Sequence, residues 1–368
     1  IAVVGAGLGG LLLARILQLQ NVSFTIYESD ADASLRASFG GSLDLKYQTG
    51  QRAMYAAGLH AEFLKLARPE GEQSRLLDKT GKIYRDVTET GASFSNPEID
   101  RAQLRTFVLD SLTPGTVQWG HKVIAVRKDA NSGKYIFEFA SGVTTEDVNI
   151  VVGTDGTRSR VRPLVWDAKP IYSGITFLET KIDIAKNAHL SAFIGKGSLV
   201  ALSDGKALMA QRNSTHVILY SALRKTSAVA QAETTAEKLT LMLDEFGDWH
   251  EELRELLRVG ENPTMRPIYA LPFDSLPRSK TDNILLGDAA HVLSPFGGDG
   301  ANLAMADAAD LGKILALGEP LEKYEKLMRE RGNASGKGAA RMLEVFFDLP
   351  WSTMFFLKIR LYFQSLFW

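Results

Sequence analysis

Residues 1–28 read IAVVGAGLGGLLLARILQLQNVSFTIYE, which has the order of a strand, a glycine-rich turn, a helix and a second strand. The apolar run at residues 1–4 is typical of a strand that is buried on both faces. Good helix formers fill residues 11–17, Asn21 ends the helix, and residues 22–27 predict the second strand. Because two parallel strands joined by a crossover helix form a βαβ unit, the sequence predicts an α/β fold.

The turn between the first strand and the helix carries Gly5-x-Gly7-x-x-Gly10, the spacing of the Rossmann-type dinucleotide fingerprint. In this motif Gly5 permits the tight turn, Gly7 lets the backbone approach a pyrophosphate, and Gly10 lets the helix pack on the strand. The pyrophosphate lies at the positive end of the helix. Glu28 follows eighteen residues after Gly10, where an acid holds a ribose diol. A carboxylate there suits an unphosphorylated ribose, so the motif predicts FAD or NAD rather than NADP.

Composition narrows the class of protein further. The chain has 368 residues, with 42 Lys+Arg, 43 Asp+Glu and no cysteine. This length exceeds the roughly 250–300 residues at which one core stops growing, which predicts two lobes. Balanced charge argues against a nucleic-acid partner, and the lack of cysteine excludes disulfides, thiolate catalysis and Fe–S clusters. The scattered histidines predict no metal site. No signal peptide is visible, so we expect a cytoplasmic protein. We also expect a monomer.

Two β-rich regions interrupt the α/β pattern. In residues 116–152 and 172–222, short apolar runs alternate with Gly and Asn turn signals, which is typical of antiparallel sheet. We predict a discontinuous nucleotide-binding domain and an inserted β-sheet substrate domain, followed by a helical tail that bridges the two lobes. The predicted ranges are 1–168 and 270–332 for the nucleotide-binding domain, 169–269 for the substrate domain and 333–368 for the tail.

Two further motifs indicate that the bound dinucleotide is FAD rather than NAD. Residues 153–162 read GTDGTRSRVR, and residues 285–302 read LLGDAAHVLSPFGGDGAN. In the second, an apolar strand delivers Asp288 to a loop, where a carboxylate suits a polyol hydroxyl. The unpaired amides at the start of the next helix suit negative charge, which a reduced flavin carries at its N1–C2=O edge.

The three motifs, in this order over about residues 1–330, resemble those of group A FAD-dependent monooxygenases of the aromatic hydroxylase superfamily, near the tetracycline-inactivating branch. The resemblance implies a fold like para-hydroxybenzoate hydroxylase, tightly but non-covalently bound FAD, NADPH or NADH as transient reductant, and O₂ as co-substrate. In that family O₂ adds at C4a of the reduced flavin, and the hydroperoxide hydroxylates an electron-rich carbon. The protein therefore has to place the substrate, exclude water and stabilise an anionic flavin.

The resemblance also implies cofactor contacts. It assigns the pyrophosphate to the glycine loop, the adenosine ribose to Glu28, and the FAD phosphates to Arg101. Asp44 corresponds to an acid beside the flavin, and Asp288 to the aspartate on the ribityl chain. Arg36 corresponds to a nicotinamide-dinucleotide contact, with a spacing to the next glycine that differs by one residue. The other positions implied to line the cofactor site are Gly287, Pro295, Gly298, Gly300, Ala301 and Asn302.

Four residues have competing interpretations. Asp155 resembles an acid associated with both FAD and NAD(P)H contact; alternatively, Asp155 and Arg162 only order a turn between the lobes. His291 has no Ser or Cys partner and no metal-ligand spacing, so we expect a structural role. Asp299 stands where most relatives carry Gln or a similar residue. Because a carboxylate facing flavin N1 would oppose reduction, we predict that its side chain points away from the ring.

The substrate prediction rests on the sheet. A Gln and an Arg of the tetracycline branch correspond to Glu179 and Ser198 here, and Met209 is a further predicted contact. Glu for Gln leaves only acceptors, and Ser for Arg removes a cation, so tetracycline would bind differently or more weakly. We expect hydroxylation of a polycyclic or phenolic molecule, either tetracycline-like or an aromatic polyketide. The alternatives are an FAD oxidoreductase or dehydrogenase without oxygen insertion, and a non-catalytic flavin redox sensor.

The end of the chain, residues 346–368, is strongly apolar and aromatic. Pro350, Lys358 and Arg360 interrupt it, so it lacks the ~20 apolar residues of a membrane span. The favoured prediction is a helix packed across the two lobes. The alternative is contact with a membrane surface or with a lipophilic substrate on its way in.

Overall fold

The computed structural model describes residues 1–36, 40–87, 96–224, 234–273 and 283–348. A π-helical turn spans Tyr47–Gln51. The strands are β1 (Ala2–Val4), β2 (Thr25–Tyr27), β3 (Ser42–Asp44), β4 (Ser74–Leu77), β5 (Ile83–Val87), β6 (Glu98–Asp100), β7 (Val117–Gln118), β8 (Val123–Lys128), β9 (Tyr135–Phe139), β10 (Thr144–Val148), β11 (Val151–Gly153), β12 (Ile171–Asp183), β13 (Ser198–Ser203), β14 (Lys206–Arg212), β15 (His216–Arg224), β16 (Glu261–Ala270) and β17 (Asn283–Leu285). The α-helices are α1 (Leu8–Leu19), α2 (Arg52–Ala56), α3 (His60–Leu66), α4 (Arg101–Asp110), α5 (Ala188–Ile194), α6 (Thr235–Glu245), α7 (Glu251–Arg258), α8 (Asp288–His291), α9 (Gly300–Leu317) and α10 (Leu321–Phe347).

The first lobe is built on a parallel sheet with the strand order β17-β11-β1-β2-β7. Val3 in its central strand is fully buried, as the apolar run predicted. Helices α1 and α9 pack against each other, and Gly312 of α9 lies against Ile16 of α1. A three-stranded antiparallel sheet, β10-β9-β8, adds to this lobe. The carboxyl ends of β1, β11 and β17 are neighbours, so the loops that follow them meet at one edge.

The second lobe is a seven-stranded sheet with the order β16-β12-β15-β14-β13-β4-β5. Its strands pair antiparallel except for β13 and β4, which are parallel. Strands β4 and β5 lie outside the predicted range 169–269. Residues 74–87 have the pattern of a local hairpin, and a hairpin pattern does not specify which sheet it will join.

Different elements pack on the two faces of the second sheet. The helix α7 (EELRELLR) carries its leucines on one stripe, and Leu253 and Leu257 pack with Leu178 in the core on one side. On the other side Phe177 packs with Phe296, which belongs to the first lobe. This second face therefore points toward the glycine-rich loop at residues 295–300.

The helix α10 joins the two lobes. Tyr324 and Met328 near its start belong to the core of the first lobe, and Met342 and Phe346 near its end pack on the second sheet. The boundary predicted at residue 333 lies inside this helix. The predicted tail beyond residue 348 lies outside the described residues. Within the part of the chain that is described, no helix is long and apolar enough to cross a membrane.

The contact between α1 and α9 generates a stability prediction. A Cβ at Gly312 would lie 2.6 Å from Cγ2 of Ile16, so we expect Gly312→Ala to lower the free energy of unfolding, by about 1–3 kcal/mol. Gly338, exposed in α10, has nothing within 4 Å of an added Cβ. Gly338→Ala should therefore raise stability by about 0.5–1 kcal/mol through helix propensity. Urea unfolding measures both variants, and equal shifts would contradict the proposed packing.

Candidate functional site

The glycine loop is shaped by the close approach of two chain segments. Gly5 has φ +108°, and a Cβ there would stand 2.7 Å from the carbonyl oxygen of Thr154. A Cβ at Gly10 would clash with the carbonyl oxygen of Gly5. At Gly7, by contrast, an added Cβ meets nothing within 4 Å. The loop is thus packed at Gly5 and Gly10 and open at Gly7, beside the start of α1, where a pyrophosphate is expected.

Glu28 lies at the end of β2 against this loop. Its Oε2 accepts a hydrogen bond from Ala6 N (2.6 Å), and its Oε1 accepts one from Asp30 N (2.9 Å). The side chain is 4% exposed. Arg105, which the sequence analysis missed, donates from Nε to Ala6 O (3.2 Å). Its guanidinium also lies 5.7 Å from the centroid of the Trp119 ring. The carboxylate and the guanidinium together fix both backbone polar atoms of one loop residue, Ala6.

The middle motif connects two strand ends. Arg162 is 3% exposed and donates from Nε to Ala289 O (2.7 Å) and from Nη2 to Asp288 O (3.0 Å). It also donates from Nη1 to Thr157 O (3.0 Å). Asp155 accepts from Arg160 N (2.6 Å), and burial raises the pKa of this carboxyl group. These contacts support the interpretation that Asp155 and Arg162 order the turn, and they leave the cofactor role of Asp155 a prediction.

The third motif begins where β17 ends. Gly287 has φ +59°, and a Cβ there would lie 2.8 Å from Cβ of Ala304 in α9. The next residue, Asp288, is exposed, and its Oδ1 lies 3.9 Å from the position of a Cβ on Gly300. Gly298 is left-handed, with φ +68°, and an added Cβ meets nothing there. The carboxylate and the start of α9 therefore border the same open space. Pro295 and Ala301, also predicted contacts, are exposed and half-buried respectively.

The side chain of Asn302 ties the segment after β3 to the start of α9. Its Oδ1 accepts from Lys46 N (3.0 Å) and Gly50 N (3.1 Å), and its Nδ2 donates to Asp44 O (2.7 Å). Lys46 also forms an ion pair with Asp299, with Nζ 2.6 Å from Oδ1. The amide of Asn302 is therefore used within the protein. The prediction that Asp299 points away from the flavin stays a prediction, and the ammonium of Lys46 is the partner that holds its carboxylate.

Asp44 belongs to a cluster of acids around one arginine. It is the cross-strand neighbour of Glu98, and Arg68 Nη2 lies 3.5 Å from Glu98 Oε2 and 2.8 Å from Asp100 Oδ1. Asp44 is solvent-accessible yet deep in the protein, and burial raises the pKa of its carboxyl group. Burial and the neighbouring Asp44 hold the pKa of Glu98 well above its ordinary range. The carboxyl groups of Asp44 and of the buried Glu98 beside it therefore both bind a proton more tightly than a free carboxyl group does.

His291 lies in a buried network rather than at a reaction centre. Its Nε2 is 2.6 Å from Asp307 Oδ2, and Asp307 also accepts from Gly287 N (3.1 Å) and from Arg331 Nη2 (2.9 Å). Burial opposes the charged imidazolium, but the Asp307 carboxylate outweighs burial and raises the pKa of His291. These contacts fit the predicted structural role. Among the described residues, no cluster of His, Asp and Glu could hold a metal ion.

The predicted substrate residues share one face of the second sheet. Glu179 lies opposite Tyr220, Tyr220 lies opposite Met209, and Ser198 pairs with Gln211 on the same face. Burial is the main cause that raises the pKa of Tyr220 to about 12, so its hydroxyl stays protonated at neutral pH. The Tyr220 Oη lies 3.1 Å from the position of a Cβ on Gly41, in the loop before β3. The sheet face therefore meets the first lobe beside the predicted flavin neighbour Asp44.

Of the two arginines predicted to contact a dinucleotide, the structure describes the side chain of one, Arg101. Arg101 begins α4; its backbone N donates to Gly41 O (3.1 Å), and its side chain is exposed beside Gly40. The side chain of Arg36 lies outside the described residues.

Known proteins resemble this chain over most of its length. A sequence family described as an FAD binding domain matches residues 1–320. The chain is 31% identical to monooxygenase penA of Penicillium thymicola, over 92% of this chain and 93% of that protein. It is also 31% identical to monooxygenase asqM of Emericella nidulans, over 86% and 83% respectively. The chain therefore belongs to this FAD-binding family. Within it the chain is an FAD-dependent monooxygenase, which confirms the predicted cofactor and enzyme class.

Solved structures agree on the fold. HpxO of Klebsiella pneumoniae, in complex with FAD and uric acid, has a TM-score of 0.82 at 20% identity, covering 98% of this chain and 92% of that chain. The tetracycline destructase Tet(51) has a TM-score of 0.76 at 19% identity, covering 99% and 95%. These likenesses confirm the predicted α/β fold class with its second, β-sheet lobe. At such identities they carry no statement about substrate.

The open space at Gly7 generates a cofactor prediction. Because an added Cβ meets no protein atom there, Gly7→Ala should leave apo-protein stability within about 0.5 kcal/mol. The methyl group would occupy the space of the pyrophosphate and lower FAD affinity about ten- to hundredfold. Gly5→Ala is the contrasting variant. Alanine there would have to adopt φ +108° and would clash with the Thr154 carbonyl, so the substitution should destabilise the fold itself. FAD titration and urea unfolding separate the two effects. Unchanged FAD affinity in Gly7→Ala would contradict the assignment.

The raised pKa of His291 generates a pH prediction. Because the pKa of His291 is higher in the folded state, protonation of His291 stabilises the folded protein. This stabilisation is fully present below the ordinary imidazole pKa of 6.5 and is lost as the pH rises through the folded-state pKa. The stability difference between wild type and His291→Gln should therefore be largest near about pH 6 and fall as the pH increases. Exposed His189→Gln serves as the control. Unfolding curves over this range measure the difference, and a flat profile for His291→Gln would refute the charged pair.

Proposed function

We propose that this enzyme hydroxylates a polycyclic or phenolic small molecule at the expense of NADPH or NADH and O₂. The observation that carries the proposal is the aromatic surface where the second sheet meets the glycine-rich loop: the half-buried ring of Tyr220 packs on buried Phe177, which packs on Phe296 of that loop. The ring of Phe177 lies 5.6 Å from that of Phe296 and 5.7 Å from that of Tyr220. Aromatic surfaces of this kind favour planar ring systems through edge and stacking contacts. Tetracycline-like molecules and aromatic polyketides remain within this class.

The names of relatives support an aromatic substrate. The chain is 27% identical to a 3-amino-4-hydroxybenzoate 2-monooxygenase of Streptomyces platensis, over 90% of this chain. It is 25% identical to an aurachin C monooxygenase/isomerase of Stigmatella aurantiaca, over 94% of this chain. Both named substrates belong to those proteins. The similarity extends over most of this chain, which includes both the FAD-binding lobe and the sheet.

Each part of the site has a role in this proposal. FAD, when bound, supplies the chemistry with NAD(P)H and O₂. The glycine loop and Asp288 would hold it, and the free amides at the start of α9 would favour negative charge on the ring. The ion pair of Lys46 with Asp299 neutralises the one carboxylate in that turn. The half-buried Tyr220 would orient the substrate, and the buried contact of Phe177 with Phe296 would help exclude water.

The experiment is NADPH oxidation by the FAD-loaded protein with a panel of polycyclic phenols that includes tetracycline. We expect NADPH consumption to rise with at least one phenol and the product to gain the mass of one oxygen atom, derived from O₂. The Gly7→Ala variant, poor in FAD, is the matched control and should show neither effect. NADPH loss without oxygenated product would point to an oxidoreductase, and no loss with any phenol to a redox sensor. Either result would reject the proposal.

A further inference from the structure

A bidentate ion pair stands on the substrate face of the second sheet. Arg266 Nε lies 2.5 Å from Glu179 Oε2, and Arg266 Nη2 lies 3.2 Å from Glu179 Oε1. Glu179 is in β12 and Arg266 is in the neighbouring strand β16, where it pairs in register with Phe177. Since Phe177 contacts Phe296 of the first lobe, the ion pair stands on the sheet face that points toward the predicted flavin site.

The pair retains the capacity to bind a further group. The Arg266 side chain is 46% exposed and that of Glu179 is 16% exposed. A guanidinium has five N–H donors, and two of them are used by Glu179. A carboxylate oxygen accepts more than one hydrogen bond, so Glu179 can accept from a ligand while it remains paired. The two residues therefore present an anionic acceptor and a cationic donor side by side.

The position of Arg266 differs from that of the arginine in the tetracycline branch, which corresponds to Ser198 in this chain. Ser198 lies in β13, three strands from Glu179 in the order β12-β15-β14-β13, a distance of about 14 Å at the usual strand spacing. Arg266 is one strand away on the opposite side of β12. The polar anchors of this sheet are thus adjacent rather than separated. They match one compact polar edge of a ligand instead of two distant groups.

We propose that the Glu179–Arg266 pair anchors the substrate and selects a fused-ring aromatic molecule whose edge carries an N–H beside a C=O, that is, a cyclic amide. The N–H donates to Glu179, and the C=O accepts from Arg266. A carboxylate substrate would have to compete with Glu179 for the guanidinium and would meet its negative charge. A lactone of the same shape offers no donor and leaves the Glu179 side unmatched. This inference rests on the proposed function for the location of the substrate, and it adds the chemical class of that substrate.

The test compares ring systems that differ in one group. The probes are 6-hydroxy-2-quinolone, with N–H beside C=O; 6-hydroxycoumarin, the lactone; and 6-hydroxy-2-naphthoate, the carboxylate. Dissociation constants are measured from perturbation of the flavin absorbance of the FAD-loaded protein, which requires no turnover. For wild type we expect the quinolone to bind about tenfold more tightly than the coumarin, and the naphthoate to bind most weakly.

Two variants make the result specific. In Glu179→Ala the preference for the quinolone over the coumarin should fall to about one, and the naphthoate should bind about tenfold more tightly because Arg266 is released. A gain of binding cannot come from misfolding. The control is Glu251→Ala, which removes an exposed partner of Arg258 on α7, on the opposite side of the sheet. It should change none of the three constants.

The outcomes separate this inference from the proposed function. If the quinolone preference is found and is lost in Glu179→Ala, the anchor stands even where no probe is hydroxylated, and only the oxygenation proposal fails. Equal binding of quinolone and coumarin by wild type, an unchanged preference in Glu179→Ala, or no binding of any probe would overturn the inference.

Discussion

The loops that follow β11 and β17 are joined by the buried side chain of Arg162, whose guanidinium donates to backbone oxygens of Thr157, Asp288 and Ala289. Burial of a cation is unfavourable unless its donors are satisfied, and burial lowers the pKa of Arg162, partly offset by the carboxylates of Asp155 and Asp288. Separating the two loops would leave a buried charge without partners. The middle and third motifs therefore form one rigid unit, and the position of Asp288 depends on the backbone contacts of Arg162.

The part of the site that could be predicted has local steric causes. Gly5 and Gly10 are required by the close backbone approach around the loop, and such requirements are visible as spacing in the sequence. Arg105 and Arg266 were missed because their partners are brought near only by tertiary structure. A signal for Arg105 existed, since it falls between apolar residues on the buried side of α4. Nothing local marks Arg266, whose partner is 87 residues away in the sequence.

In the second lobe, too, the sequence predicts local elements but not all of the long-range pairing between them. The short apolar runs and turn signals of residues 172–222 predicted strands there, as the structure shows. The parallel pairing of β4 with β13 could not be predicted, because it joins segments more than a hundred residues apart and follows from packing rather than from pattern. That pairing extends the sheet to seven strands. The proposed substrate site depends on the register of β12, β15 and β14, because Glu179, Tyr220 and Met209 share one face only when these strands align as they do.

The helix α10 has a consequence for how such enzymes change over evolution. Its 27 residues span about 40 Å, and it contributes side chains to the cores of both lobes. The second sheet is itself assembled from residues 74–87 and 171–270, so the chain passes between the lobes more than once. Neither lobe is encoded by one continuous stretch of gene. Recombination at a single crossover would divide both cores, so exchange of a whole lobe would disrupt the packing of both, whereas a point substitution on the sheet face would leave the cores intact.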